Sequence, residues 1–371
     1  CNEGPGYWGR AMACLFDCIE LLDNATGQAL DLYGDSLLKE MAAYIYRVHI
    51  DDRYFVNFSD SPGSINVASD LVYRLGGKIG DDRLKAFGVW ASKSQQSTFG
   101  GSLIRELPAL FGADRLSAET GGSPPLARDA WLSVIQVMTA RSNEGTSEGL
   151  YLAVKGGHNR EHHNHNDVGN FIIYTDGLPA IVDAGVGTYT RQNSGPNRYD
   201  IWTMKSGYHN LPTINDTHQG YGREFSADVV SQSADDKCAR IEMDITKAWP
   251  LDAQLESWIR TLTLNRGRDV KLEDTYKLTE PGNVTLGLIT PCEVSGADGE
   301  LCLGSRRISD DRPSGSLNIE YDSDCLAVKV EEIVLDDAKL NASWGEKLFR
   351  ILFTPAQPVK EGSWSLGFTQ S

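Results

Sequence analysis

The chain has 371 residues, 40% of them hydrophobic and 23% charged, with a formal net charge of −16. That length suggests two domains, or one large domain with part of another, and the apolar share is enough for a sizeable core. The charge argues against wrapping nucleic acid, which needs a basic face. No apolar run reaches the roughly 18 residues of a membrane-spanning helix.

The chain opens on "CNEGPGYWGR", with no start methionine, so a secretion signal would lie upstream of it. The first hundred or so residues read as helices. Ala11, Leu15, Ile19 and Leu22 fall three and four apart, as do Leu38, Met41, Ile45 and Val48, with Asp35 or Ser36 as a cap for the second run. Residues 64–77, 81–93 and 101–112 read as three further short helices, separated by "SDSPGS", "GGKIG" and "STFGGS". Helices in series, each with one apolar side, predict an antiparallel helical array over 1–116.

"SAETGGSPPLARD", residues 117–129, reads as a linker. Short runs rich in β-branched and aromatic residues follow, among them "WLSVIQVMTAR", "GLYLAVKGG", "NFIIYTDGLPAIVDAG", "WIRTLTLN" and "KLFRILFTP". Turn residues bound them at regular intervals, which predicts an antiparallel β-sandwich over 130–371 and an α+β chain as a whole. The Asp-Gly pair at 176 and 177 predicts a tight hairpin turn. The seven cysteines, Cys1, Cys14, Cys18, Cys238, Cys292, Cys302 and Cys325, contain no CxxC pair. They read as small buried hydrophobes rather than a disulfide scaffold.

The chemistry is concentrated in "GGHNREHHNHNDVGNF", residues 156–171, which holds four of the seven histidines. Metal binding, proton transfer and a solvated polar loop are the three readings. On an extended segment His163 and His165 point the same way and His162 points away. The predicted hairpin returns Asp183 toward this loop, and His209 in "GYHNLP" could complete a set of two imidazoles and one carboxylate, a known zinc set with an open position. A zinc hydrolase would need a base beside the metal, for which Glu161 and Asp167 are the near candidates. HExxH, GxSxG and phosphate-loop motifs are absent from the sequence.

"GGHNREHHNHNDVGNFIIYTDGLPAIVDAGVGTY", then "NRYDIWTMKSGYHNLPTIN" and Gln219, resembles the heparinase II/III-like polysaccharide lyases, as does the opening "CNEGPGYWGRA". The resemblance implies the end of an (α/α) toroid followed by a β-sandwich, with the earlier toroid helices and an Asn-His pair upstream of Cys1. A chain without them could be inactive alone, a glycan-binding β-sandwich. It implies Zn2+ held by His165, Asp183 and His209, in a role that organises loops. It implies His163 beside the cleft, Tyr199 as the proton-transfer tyrosine with Tyr189 as second choice, and Tyr7 from the helical side. Arg160, Arg191 and Arg198, with Lys205, are candidates for positive charge near the tyrosine, and Asn210 and Gln219 join the arginines as substrate-binding expectations. The implied reaction is β-elimination on an acidic, uronate-containing glycan of glycosaminoglycan or alginate type, in a periplasmic or secreted protein.

Overall fold

The computed structural model describes residues 2–95, 103–309 and 312–371. Cys1 and the whole "STFGGS" spacer, with residues 101 and 102 of the fifth predicted helix, lie outside them. The chain is α+β, and every strand pair among the described residues is antiparallel. No helix among these residues is long and apolar enough to cross a membrane.

Five helices come first: α1 (Pro5–Ala25), α2 (Ser36–Arg47), α3 (Ser69–Ile79), α4 (Asp82–Ser94) and α5 (Leu103–Ala118). Asp35 caps α2 by accepting from the backbone N–H groups of Leu37 and Leu38. The buried face of α1 is not the leucine stripe. Trp8, Met12, Phe16 and Ile19 are buried, while Leu15 and Leu22 are 37% and 41% exposed. Rings at 8 and 16 bury more area than leucines do, and they set the phase. Leu38, Ile45 and Val48 are buried as the pattern predicts, and Met41 is exposed. His49 already belongs to a small hairpin, β1 (His49–Asp51) and β2 (Tyr54–Phe55), which leads into the loop containing Asp60.

Residues 119–128 carry no helix or strand. Next come β3 (Asp129–Leu132), β4 (Val137–Arg141), β5 (Leu150–Lys155), the short β6 (His158–Asn159), β7 (Phe171–Thr175) and β8 (Leu178–Ile181). Strands β3–β4–β5–β7–β8 form one sheet, in that order. Both of its faces are covered, and the two-residue period decides which core each side chain joins. Leu150, Leu152, Val154, Phe171 and Ile173 pack toward the other sheets, while Tyr151, Ala153, Ile172 and Tyr174 pack with the helices. The β7–β8 turn is the expected one. Asp176 and Gly177 have φ of 51° and 77°, the two left-handed residues of a tight hairpin, and Thr175 pairs with Leu178.

Short strands β9 (Pro212–Ile214) and β10 (Gly222–Ser226) lead to β11 (Asp228–Ala234), β12 (Cys238–Asp244), β13 (Leu255–Asn265), β14 (Asp269–Gly282) and β15 (Val284–Thr290). An eight-stranded sheet runs β11–β12–β13–β14 and continues through Val359–Thr369, Leu317–Glu320, Glu300–Gly304 and Glu293–Ala297. Leu326–Val334, Lys347–Pro355, β15 and β9 form a four-stranded sheet. All three sheets feed one hydrophobic core. Inside it Arg260 and Asp274 are buried as a bidentate pair at 2.8 and 2.7 Å.

The cysteines correct the sequence reading. Among the described residues only Cys292 is buried; Cys14, Cys18, Cys302 and Cys325 are exposed and Cys238 is intermediate, all six free. Exposed positions on α1 and on strand edges tolerate a small thiol as readily as a core does.

Candidate functional site

The site assembles on the loop between β6 and β7, the loop after β8, and the Asp60 loop after β2. Residues 160–167 are not extended: His163 has φ of 55°, so the simple alternation of His162, His163 and His165 does not hold. His162 is exposed all the same. His163 and His165 do share a partner, the carboxylate of Asp60, but from opposite sides.

Asp60 is the residue the sequence reading missed. Its side chain is fully buried and collects four donors. Oδ2 accepts from His163 Nδ1 at 2.8 Å and from the Tyr189 hydroxyl at 2.5 Å. Oδ1 accepts from His165 Nε2 at 3.0 Å and Arg198 Nη2 at 2.7 Å. Burial acts to raise its pKa, but the hydrogen bonds from His165 and Tyr189 and the Arg198 charge hold it well below the ordinary carboxylate range. An ionised carboxylate only accepts, so each imidazole nitrogen facing it carries the proton. This fixes the two tautomers in opposite senses. In its neutral form His163 is protonated on Nδ1 and has its lone pair on Nε2. His165 is protonated on Nε2 and keeps its Nδ1 lone pair, which is buried without a partner among the described residues.

His165, Asp183 and His209 are fully buried, with one potential ligand atom from each lying within 4.8 Å of the others. Asp183 ends the predicted hairpin. Its Oδ2 accepts from Asn170 at 2.7 Å and His209 Nδ1 at 3.0 Å, and its Oδ1 accepts from the Gly185 N–H at 2.7 Å. His209 Nε2, like His165 Nδ1, is buried without a partner among the described residues. Two orphaned nitrogens beside one carboxylate are a donor set that fits a divalent metal such as zinc. Gly185 lets the strand end approach the Asp60 loop: its φ is 71°, and a Cβ there would lie 2.4 Å from the Ser61 carbonyl oxygen.

On the open side of Asp60, Tyr7 from α1 stacks on His163 with ring centroids 4.1 Å apart. Its hydroxyl is 3.0 Å from that of Tyr189. Tyr189 has one hydrogen, which goes to Asp60, so Tyr7 donates in this contact. Burial and the bonds to Asp60 and Tyr7 push the Tyr189 pKa far up, so it holds its proton. Tyr7, Tyr189 and Asp60, with Gly6, Arg10, Pro62 and Lys339, line a cleft of about 440 Å³.

Other expected site residues stand elsewhere. The Tyr199 hydroxyl accepts from Asn164 at 3.3 Å and its ring packs on Tyr221; burial pushes its pKa up to about 12. Arg198 is spent on Asp60 and on the carbonyls of Asn164 and Asn193. Asn210 and Gln219 are buried framework, which corrects the substrate-binding expectation. Asn210 ties Phe171, Val182 and Ile289, and Gln219 ties Asn159 and Val168. Arg160 and Arg191 are exposed, and Lys205 is half-buried. Of the two candidate bases for hydrolysis, Asp167 is buried against Lys155 at 2.5 Å, and Glu161 contacts Asn2 and His158.

Fold and site together define the class: helices packed on layered antiparallel sheets, with a buried metal-type donor set joined through Asp60 to a cleft lined by Tyr7 and Tyr189. Residues 129–297 match the model of the family described as heparinase II/III-like, C-terminal. No curated protein matches the chain. Among solved structures, it is similar to the heparan sulfate lyase HepC from Pedobacter heparinus, with a TM-score of 0.68 at 14% identity, over 99% of this chain and 52% of that one. It is also similar to a heparinase III, with a TM-score of 0.68 at 13% identity, over 100% and 54%. Chondroitin AC lyase from Streptomyces coelicolor A3 aligns at a TM-score of 0.50 and 8% identity, over 90% and 48%. At these identities the likeness is one of fold, and the chain spans about half the length of these structures.

Proposed function

We propose that the protein is a polysaccharide lyase that cleaves uronic-acid-containing glycans by β-elimination, with the helices as the end of an (α/α) toroid and the sheets as a β-sandwich. The observation that carries this reading is the stacked Tyr7–His163 pair at the cleft, with His163 Nε2 left as a free lone pair by Asp60. His163 Nε2 takes the C5 proton of the uronate. The C4–O bond breaks, a C4–C5 double bond forms, and the Tyr7 hydroxyl protonates the leaving oxygen. One net proton transfer from His163 to Tyr7 through solvent resets the pair. Tyr189 keeps its proton and holds the Tyr7 hydroxyl in place. This reading moves the proton-transfer tyrosine from Tyr199 to Tyr7.

His165, Asp183 and His209 would hold zinc, which supplies positive charge beneath the cleft and pins three loops together. Asp60 contacts both a metal ligand and the base, so it positions each. The proposal carries with it an acidic polysaccharide or oligosaccharide as partner and a periplasmic or secreted location. A screen of the full-length protein against uronate polymers tests it. The expected result is ultraviolet absorbance from the unsaturated product. New reducing ends without that absorbance would mean hydrolysis, and no cleavage of any polymer would end the lyase reading.

A further inference from the structure

Two cations border the cleft, Arg10 and Lys339. Arg10 follows Tyr7 by three residues on α1, which puts both on one face of the helix. Lys339 comes from the far end of the chain, on α6 (Ala338–Trp344). Its placement is built into the fold. Asp337 Oδ1 accepts from the backbone N–H groups of Lys339 and Leu340, and Oδ2 accepts from the N–H of Thr188 at 2.8 Å. One carboxylate thus ties the Lys339 turn to the loop bearing Tyr189. The Lys339 ammonium lies 5.5 Å from the centre of the Tyr189 ring.

Neither Arg10 nor Lys339 has a carboxylate within ion-pair distance among the described residues. The one acid in the cleft wall, Asp60, has a fully buried side chain already matched by Arg198 and two histidines. In a chain of net charge −16, this cleft therefore presents positive charge to solvent. Burial lowers the Lys339 pKa against the pull of Asp60 and Asp337, and Arg10 lowers it further. An anion arriving between the two cations relieves that strain.

We propose that Lys339 and Arg10 form an anion subsite for the acidic group, carboxylate or sulfate, of the sugar lying against Tyr7 and His163. The identity of that sugar rests on the lyase reading; the subsite itself rests on the cleft. The test uses Lys339→Gln and Arg10→Gln in the full chain, with melting temperature as the folding check. Binding is measured by calorimetry with an unsulfated uronate oligosaccharide, its carboxyl-reduced form and a sulfated one, and KM is measured wherever cleavage occurs. Loss of a charged hydrogen bond predicts about tenfold or weaker binding of the charged ligands, with the carboxyl-reduced ligand unaffected. Weakening on the unsulfated acid assigns the subsite to the carboxylate; weakening on the sulfated ligand alone assigns it to sulfate. Wild-type affinity of Lys339→Gln for both charged ligands overturns the subsite, as does equal weakening for the neutral one. Cleavage with KM unchanged in the variant would reject the subsite and spare the lyase. Weakened binding with no unsaturated product from any polymer would do the reverse.

Discussion

Two buried ionic networks sit one behind the other in this molecule, and they differ in what they leave over. Around Arg260 the guanidinium is consumed: Nε and Nη2 grip Asp274, and Nη1 donates to the carbonyls of Gly169 and Asn210, both at 2.9 Å. Trp364 Nε1 adds a bond to Asp274 at 3.0 Å. That network holds the backs of the two site loops against the eight-stranded sheet. Around Asp60 the carboxylate is also saturated, yet its partners are not. His163 Nε2 stays free, His165 Nδ1 is an orphan, and the Tyr7 hydroxyl faces the cleft. A spent network is framework; a network whose partners keep spare atoms is where chemistry can occur.

The largest expected effect falls on the second network. His163→Ala and Tyr7→Phe should each lower kcat/KM on the cleaved polymer by about 10²–10⁴-fold, the usual share of a positioned acid or base. Fold and bound metal should survive. Tyr199→Phe, by contrast, should stay close to wild type; a collapse there with Tyr7→Phe unharmed would move the site back to Tyr199. Asp274→Ala attacks the first network and strands a buried guanidinium, which should cost about 3–5 kcal/mol in denaturant unfolding. A small loss there would mean that Arg260 finds water or another partner.

His165→Ala should remove bound zinc, read by metal analysis, and with it the stabilisation metal gives, about 2.7 kcal/mol at 100-fold excess over Kd. Retention of metal and melting temperature would refute the ligand set. His49 supplies the smallest effect and a useful contrast: it is a buried imidazole with no carboxylate partner. Burial pushes its pKa down to about 3 from 6.5. Between those values the unfolded chain binds the extra proton, so stability falls as pH drops. The loss should be about 2 kcal/mol by pH 5 relative to neutral pH, and His49→Gln should flatten it.

Local patterns made part of this legible. The β7–β8 hairpin follows from period-two apolar residues around Asp-Gly, and it delivers Asp183 to His165 and His209 as the spacing implied. Strand β14 carries the same period in Val270, Leu272, Tyr276 and Leu278, but Asp274 occupies the inward position between them, and a charge in a core register hides a strand until its Arg260 partner is known. Asp60 was invisible for a related reason. "SDSPGS" has the composition of a turn, and the partners that give its carboxylate meaning, His163, His165, Tyr189 and Arg198, lie more than a hundred residues away. In sequence Tyr199 is the better match to the tyrosine that the family resemblance implies between Asp183 and His209, whereas the fold brings Tyr189 and Tyr7 to His163.

One carboxylate sets two imidazoles in opposed tautomers, and nitrogen NMR of histidine-labelled protein reads this without any substrate. The prediction is His163 protonated on Nδ1 with Nε2 bare, His165 protonated on Nε2, and loss of both preferences in Asp60→Ala. His163 carrying its proton on Nε2 in the wild-type protein would contradict the account.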